Sequence, residues 1–511
     1  MKNFLRTLFA LSACAPPALH AQQTFEVSYH NNAYSHYNDL AWLRNDAVAG
    51  VSSHIDNSGF EVAALSAFTP NGQLLWDKTY PNTVSHMFTF EQLRPTRDGG
   101  LLVCGSGSDP VSGNVYDPFL LKTDSLGQTQ WAKVYNSIHS EYNIGNVRQT
   151  SDGGFVCAGV AYGSNPTDFW YYLLKTDSMG NREWGKTYHH SNPSKIDLTD
   201  VYEDENGDYF ACGHLDDTAL VMKVSHTGAF LWTRRVRMGN IVFSFPQALG
   251  RSHTPGAFVC AGRTTNRSFA FEMDTLGNLS WLNMYDYFLT EDLVPSPGSG
   301  YVLTGFKTLG QPNGILVKIS NTGQLSWNRV YPTSYMLVAL DTLYNGDGYA
   351  ACGSHQGSLG VEFGYLLRTD TMGKLYCNEI NASLLESAPA VVIDTLMLST
   401  ADYFTVNTYD VPSAEYLVRD SLICAGTVGY TENFSPGLKV WPVPADEKLF
   451  LELPDDAQWQ ITLSDALGRM VLQKNLRGKK HELDLIALPP GIYLLQAKSG
   501  EKIVTKKILR R

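Results

Sequence analysis

The chain is poor in charge, and its interior holds no long apolar run. Only 17% of its 511 residues are charged. Beyond residues 8–15, no segment approaches the roughly 18 apolar residues needed to cross a bilayer as a helix, so the mature chain is expected to carry no transmembrane segment. Sustained helical periodicity is also missing, which excludes a large helical domain. There is no Cys-x-x-Cys, hence no support for a zinc ribbon or a thioredoxin site. His-Glu-x-x-His, Gly-x-Ser-x-Gly, Gly-x-Gly-x-x-Gly and the phosphate loop are all lacking. Thirteen histidines supply one adjacent pair, His189-His190, and neighbours on a strand point apart. The formal charge is −11. Residues 436–511 hold 13 Lys and Arg against 9 Asp and Glu, so the rest of the chain carries −15. An acidic body argues against nucleic acid or an anionic membrane as partner.

What the chain has is a tryptophan-anchored turn, many times over. Lys122-Thr123-Asp124-Ser125-Leu126-Gly127 precedes Trp131, and Lys175-Thr176-Asp177-Ser178-Met179-Gly180 precedes Trp184. Looser copies precede Trp76, Trp232, Trp281 and Trp327, and Thr369-Asp370-Thr371-Met372-Gly373 leads to Tyr376. Successive spacings are 55, 53, 48, 49, 46 and 49 residues. A period of that size means one small sheet reused. Within a unit, extended runs such as Phe155-Val156-Cys157-Ala158-Gly159 and Tyr171-Tyr172-Leu173-Leu174 alternate with Asp/Gly/Ser turns, which read as strands and turns. Four strands per unit and seven units predict an all-β fold, a seven-bladed β-propeller.

A linear solenoid would need polar caps, and none is found. A ring needs closure instead. Thr24-Phe25-Glu26-Val27-Ser28-Tyr29 resembles the Trp-to-Tyr strand that ends each unit. It is expected to complete the seventh sheet, whose own last strand is weak after Tyr376.

Lys2 and Arg6 flank the apolar residues 8–15, and Ala18-Leu19-His20-Ala21 follows. This predicts a secretory signal peptide over 1–21, cut after Ala21. Leu11-Ser12-Ala13-Cys14 also resembles a lipoprotein cleavage box, with lipid on Cys14 as the alternative. Near the other end stand Val440-Trp441-Pro442-Val443-Pro444-Ala445, Leu463-Ser464-Asp465-Ala466-Leu467-Gly468-Arg469, residues 485–493 with Gly491 and Tyr493, and Lys506-Lys507-Ile508. This segment, 434–511, resembles the C-terminal sorting domain of the type IX secretion system of Bacteroidetes. The family usually opens on Pro-Asn-Pro, and Val443 replaces that Asn. The resemblance implies a small C-terminal β-sandwich, recognised by the type IX translocon through Pro442, Pro444, Gly468, Arg469, Gly491, Tyr493, Lys506 and Lys507. It also implies release from the cell or attachment to its surface. Between body (22–378) and sorting segment, residues 379–433 read as an ordered connector with short strands and a terminal hinge, a third minidomain being the alternative.

Eight cysteines are present. Cys104, Cys157, Cys212, Cys260 and Cys352 take near-equivalent repeat positions, one per sheet. They read as buried small hydrophobes that stay apart, since adjacent strand positions face opposite sides. Cys377 and Cys424, at the ends of the connector, are candidates for a disulfide in an exported chain. Asp204-Glu205-Asn206-Gly207-Asp208 has the oxygen spacing of a calcium loop's start, but Tyr209 follows where Gly is wanted, so a repeat turn is the plainer reading. The Asp-Ser/Thr-Leu/Met triplets resemble an O-glycosylation pattern of Bacteroidetes, although a turn explains them as well. The recurrent Trp76, Trp131, Trp184, Trp232, Trp281 and Trp327 read as packing between sheets. Tyr116, Tyr142, Tyr162, Phe169 and Trp170, in variable loops, are the better contact candidates.

The turn-plus-Trp unit over 24–377 also resembles quinoprotein-like propellers. No adjacent cysteine pair or assignable acid set accompanies it, so no cofactor, metal or catalytic residue is assigned. The expected function is a secreted or cell-surface binding module, reached via periplasm and outer membrane, for a glycan or protein ligand. The alternatives are an enzyme (a quinoprotein-like oxidoreductase or polysaccharide-cleaving) and a structural surface component. Acids, His and Arg clustered around a central channel would favour the enzyme.

Overall fold

The computed structural model describes residues 22–30, 35–43, 47–55, 61–70, 72–80, 88–107, 117–136, 141–162, 169–190, 195–241, 243–343, 346–356, 362–376, 379–402, 405–409, 414–415, 419–428, 439–441, 448–453, 455–465, 470–485, 488, 491–499 and 502–510. They hold strands and turns and no helix. Contacts divide the chain into two units, Ala21–Val428 and Gly429–Arg511. The signal segment 1–21, Tyr116 and Cys377 lie outside the described residues, as do Pro442, Pro444, Gly468 and Arg469. Cys424 is placed only as a strand residue, so the Cys377–Cys424 disulfide is not described.

The larger unit contains seven antiparallel sheets built to one plan. The first comprises Ser35–Trp42, Val48–Ile55, Glu61–Phe68 and Leu74–Tyr80; the second Phe88–Pro95, Leu101–Gly107, Asp117–Thr123 and Thr129–Asn136. Glu141–Gln149, Phe155–Tyr162, Phe169–Thr176 and Arg182–His189 make the third, and Ile196–Glu203, Tyr209–Leu215, Thr218–Val224 and Phe230–Met238 the fourth. The fifth is Ser244–Arg251, Ala257–Thr264, Arg267–Asp274 and Leu279–Asp286, and the sixth Phe288–Pro295, Tyr301–Lys307, Gly314–Ile319 and Leu325–Tyr331. The seventh has three strands of its own, Met336–Thr342, Gly348–Gln356 and Glu362–Asp370. Its fourth is the N-terminal strand Gln22–His30, paired to Glu362–Asp370 from Phe25↔Arg368 to Tyr29↔Gly364. The first strands of successive sheets pack on one another, and that of the seventh packs on that of the first.

The repeated Trp and the repeated turn Gly are partners across sheets. A Cβ on Gly127 would meet the Trp76 ring at 2.8 Å, and one on Gly180 the Trp131 ring at 2.7 Å. The same holds for Gly228 with Trp184, Gly323 with Trp281 and Gly373 with Trp327. Each of these glycines has positive φ, so both backbone and contact forbid a side chain. Four residues beyond the Trp, a buried tyrosine donates to the same glycine's carbonyl: Tyr135 to Gly180 at 2.8 Å, Tyr188 to Gly228 at 2.8 Å, Tyr331 to Gly373 at 2.7 Å. At the junction of seventh and first sheets, Phe25 takes the Trp place against Gly72. In the fourth sheet Arg234 lies between Trp232 and Gly277 instead, its guanidinium 4.8 Å from the Trp232 ring. Trp131 is 9% exposed and the other five are half-buried.

Six of the seven sheets gain a fifth strand from the connector. Glu386–Ser387 pairs with Leu279–Asp286, Val391–Asp394 with Phe230–Met238, Ser399–Asp402 with Arg182–His189, and Thr405–Tyr409 with Thr129–Asn136. Ala414–Glu415 then pairs with Leu74–Tyr80, and Arg419–Val428 with Gln22–His30. The sixth sheet receives a single bridge, Val330↔Ile380. The segment alternates as a half-buried strand should. Leu384, Val391, Ile393, Leu396 and Leu398 pack on the core, while Leu385, Val392 and Met397 face water.

In the smaller unit, Lys439–Trp441, Lys448–Glu452 and Lys480–Asp484 form one sheet. Gln458–Asp465, Met470–Arg477, Gly491–Ser499 and Lys502–Arg510 form another. Leu449, Leu451 and Leu483 share one core with Trp459, Ile461, Leu463, Tyr493 and Leu495. Gly491 opens its strand, Tyr493 is buried, and Lys506 and Lys507 lie in the edge strand opposite Leu495 and Leu494.

Candidate functional site

The two ends of the sheets differ in their connections. Antiparallel order puts the turns after first and third strands at one end. After the first strand, five residues intervene in all seven sheets. After the third strand, five intervene in every case from the first sheet to the sixth but the fifth sheet, which has four. These turns share one chemistry. Asp124, Asp177 and Asp274 each accept the amides two and four residues on, at 2.8–2.9 Å. These bonds hold the Asp177 and Asp274 carboxyls below the usual range against the opposing effect of desolvation, with Asn181 helping at Asp177 and Asn278 at Asp274.

At the opposite end the second-to-third-strand loops run to 5, 9, 6, 2, 2, 6 and 5 residues in chain order. Sheets four and five have the shortest of these loops. The fourth sheet turns on Asp216-Asp217 alone, both at positive φ (48° and 61°). In the third sheet, Tyr162 pairs with Phe169 and Ala161 with Trp170. The Tyr162 and Phe169 rings meet edge-on at 5.4 Å, and Trp170 meets His189 at 5.3 Å. All four are half-buried. His190 follows at the strand's end, so the adjacent histidines are divided between an aromatic contact and a loop, as expected for strand neighbours.

Acids and arginines do gather on the first strands, a feature composition left hidden. Every first strand carries a bulge at the same place, skipping Asn38, Glu91, Gly145, Thr199, Gln247, Glu291 or Val338. The residues beyond it reach across to the next sheet. Asp39 accepts the Leu93 amide at 2.7 Å and Arg94 at 2.6 Å. Asp200 accepts the Leu249 amide at 2.7 Å and Arg148 at 2.6 Å. Asp292 accepts the Leu340 amide at 2.9 Å, and Asp341 the Trp42 amide at 2.8 Å. Arg94 also binds Gln92 and Asn146, each at 3.0 Å. Burial pushes Asp292 up to about 7 and Asp341 up to about 6. It also pushes Glu291 up to about 7, against the opposing charge of Arg263. Asp39, Asp200, Asp292 and Asp341 are inter-sheet clasps whose oxygens hold the backbone of the neighbour, and Glu291 pairs with the Arg263 guanidinium.

The calcium-like run has the same fate. Asp204 accepts the amides of Asn206 and Asp208, and the Lys223 ammonium sits 3.2 Å from Asp204 and 3.1 Å from Asp208. Lys122–Asp98 and Lys175–Asp152 repeat the pair at 3.0 and 2.8 Å. Among the described residues, no three His, Cys, Asp or Glu side chains converge as a metal set.

The five repeat cysteines are buried and free, but they do not all stay apart. Cys104 and Cys157 share one core cluster, and Cys212 and Cys260 another. Facing opposite sides of their own sheets is what brings them to a common interface, so strand alternation joins the thiols rather than separating them.

Among solved structures the chain is similar to the Dos1 propeller, with 11% identity over 67% of this chain and 95% of that one and a TM-score of 0.39. It is also similar to a protein from Dyadobacter fermentans DSM 18053 titled as of unknown function (12%, 68% and 98%, 0.40) and to Drosophila Plexin A in complex with Semaphorin 1b (11%, 68% and 87%, 0.39). Likeness at this level carries no argument about ligand or activity. No curated protein matches the chain. Residues 439–511 match the family described as the secretion system C-terminal sorting domain. Carrying that domain, the chain is a secreted protein handled by the type IX secretion machinery, bound for the cell surface or the outside.

Proposed function

We propose that the protein is a secreted binding module: a closed seven-bladed β-propeller, exported behind a signal peptide over 1–21 and delivered by a β-sandwich sorting domain. The blades are the seven sheets, and the ligand is a glycan or a protein. The carrying observation is the contrast between the two rims. One repeats a five-residue turn with little change, while the other varies from 2 to 9 residues. A scaffold that holds one end constant and varies the other reserves the variable end for contact. The half-buried Tyr162, Phe169, Trp170 and His189 sit on that end. Aromatic faces beside polar loops suit sugar rings or protein side chains alike.

Glycan-array screening and pull-down from the native cell surface identify the ligand. Phe169→Ser and Trp170→Ala are then expected to weaken binding at least tenfold, with the melting temperature little changed for Phe169→Ser. Binding that survives both substitutions places the contact elsewhere and ends this reading. Hydrolysis of an arrayed glycan, abolished by a single Asp or Glu substitution, would replace it with an enzyme.

A further inference from the structure

We propose that residues 380–428 are a strap, laid round the finished ring, that locks the N-terminal strand into the seventh sheet. The segment visits the sheets in reverse chain order: sixth, fifth, fourth, third, second, first and then seventh. At each stop it lies on the outermost strand, as a fifth strand on six of the sheets and as a single bridge on the sixth sheet. Where strand pairing is thin, side chains do the holding. Ala382 donates its amide to Asn328 at 2.7 Å, and Asn328 donates to the Ala382 carbonyl at 3.1 Å. Thr233 exchanges bonds with both the amide and the carbonyl of Leu396, at 3.2 and 2.8 Å. Glu386 accepts the Leu325 amide at 2.7 Å, and Arg329 donates to Asn381 at 2.8 Å. Thr233 and Asn328 each stand one residue beyond their sheet's Trp, where the third and second sheets carry Gly185 and Ala132.

The last stop makes the segment a lock rather than a cover. Gln22–His30 pairs with its own sheet over Phe25–Tyr29 only. It pairs with Arg419–Val428 along its whole length, from Gln22↔Val428 to His30↔Arg419. The strand that closes the ring is therefore gripped more extensively by the strap than by the ring. Strap and sorting domain are consecutive in sequence. On the secretion reading above, a cut that frees the sorting domain leaves the ring locked only if it falls beyond Val428.

The test uses the full chain with a specific protease site written over residues 416–418, and a second chain with the site between Val428 and Lys439. Each is folded first and cut afterwards. Cutting at 416–418 is expected to speed amide exchange across Gln22–His30 at least tenfold and to lower the melting temperature by several degrees. Exchange in the fourth and fifth sheets is expected to stay as it was. Cutting beyond Val428 is expected to change neither. Unchanged exchange at Gln22–His30 after the first cut would overturn the proposal, because the ring would then be closed without the strap. Should the engineered site itself impair folding, Ala425→Pro in an uncut chain gives the same comparison. Proline removes a ladder donor there, and a protein with unchanged exchange at Gln22–His30 again overturns the lock.

Discussion

Single residues in this protein are legible when one physical need selects them. Gly180 has a φ of 71° and no room, since its Cβ would stand 2.7 Å from the Trp131 ring. Gly153 has a φ of 90° but open space around it. Gly180→Ala is expected to cost about 2–4 kcal/mol, adding overpacking to backbone strain, and Gly153→Ala about 1 kcal/mol from strain alone. Denaturant midpoints of the two variants check the difference. The thiols make a second case. Burial pushes Cys104, Cys157, Cys260 and Cys352 well up from the usual thiol range, so they stay protonated and shielded near neutral pH. A thiol reagent is expected to leave all four unlabelled in the native protein and to label them in denaturant. Sequence showed that Trp and turn Gly recur together, but not that each Trp serves the glycine of the next sheet. Their nearness along the chain hid a contact made one repeat further on.

Strands and turns were the most readable level, because period-two apolar runs end at Asp/Gly turns throughout. Phe155-Val156-Cys157-Ala158-Gly159 belongs to the observed strand Phe155–Tyr162, and Tyr171-Tyr172-Leu173-Leu174 to Phe169–Thr176. The bulge in every first strand was invisible, since one extra residue in a strand leaves no mark on composition. Short strands in the connector were expected, but their places in the sheets were hidden for another reason. They are two to five residues long over most of the segment, and their pairing partners lie up to several hundred residues away. Asn328 gives that pairing a measurable handle. Asn328→Ala leaves an Ala382 amide and carbonyl without their partner, and each unmet buried group costs about 1–3 kcal/mol. Exchange of the Ala382 amide is expected to rise sharply, while Gly373 and Trp327 keep their contact.

For the molecule as a whole, the buried carboxyls set a pH dependence of unusual sign. Burial raises Asp292 to about 7 and Asp341, Asp77 and Asp197 to about 6, whereas an unfolded Asp titrates near about 3.9. The folded state then holds more protons than the unfolded state between those values. Their contribution to stability is full below about pH 4 and is lost as pH rises to about 7. Asp98, Asp152, Asp177 and Asp274 are lowered instead, Asp152 to about 2, and their contribution fades as pH falls below about 4. Stability measured against pH is expected to peak in mild acid, and Asp292→Asn to flatten the decline between about pH 4 and 7. A profile that climbs steadily to pH 7 would contradict this balance.

The antiparallel grip between Gln22 and Val428 has a mechanical corollary. A tether attached beyond Val428 pulls on the pair at the very end of that ladder. Antiparallel strands loaded from one end part rung by rung, each rung bearing the force alone. Tension drawn through the residues beyond Val428 would therefore open that ladder like a zipper, from its last pair inward.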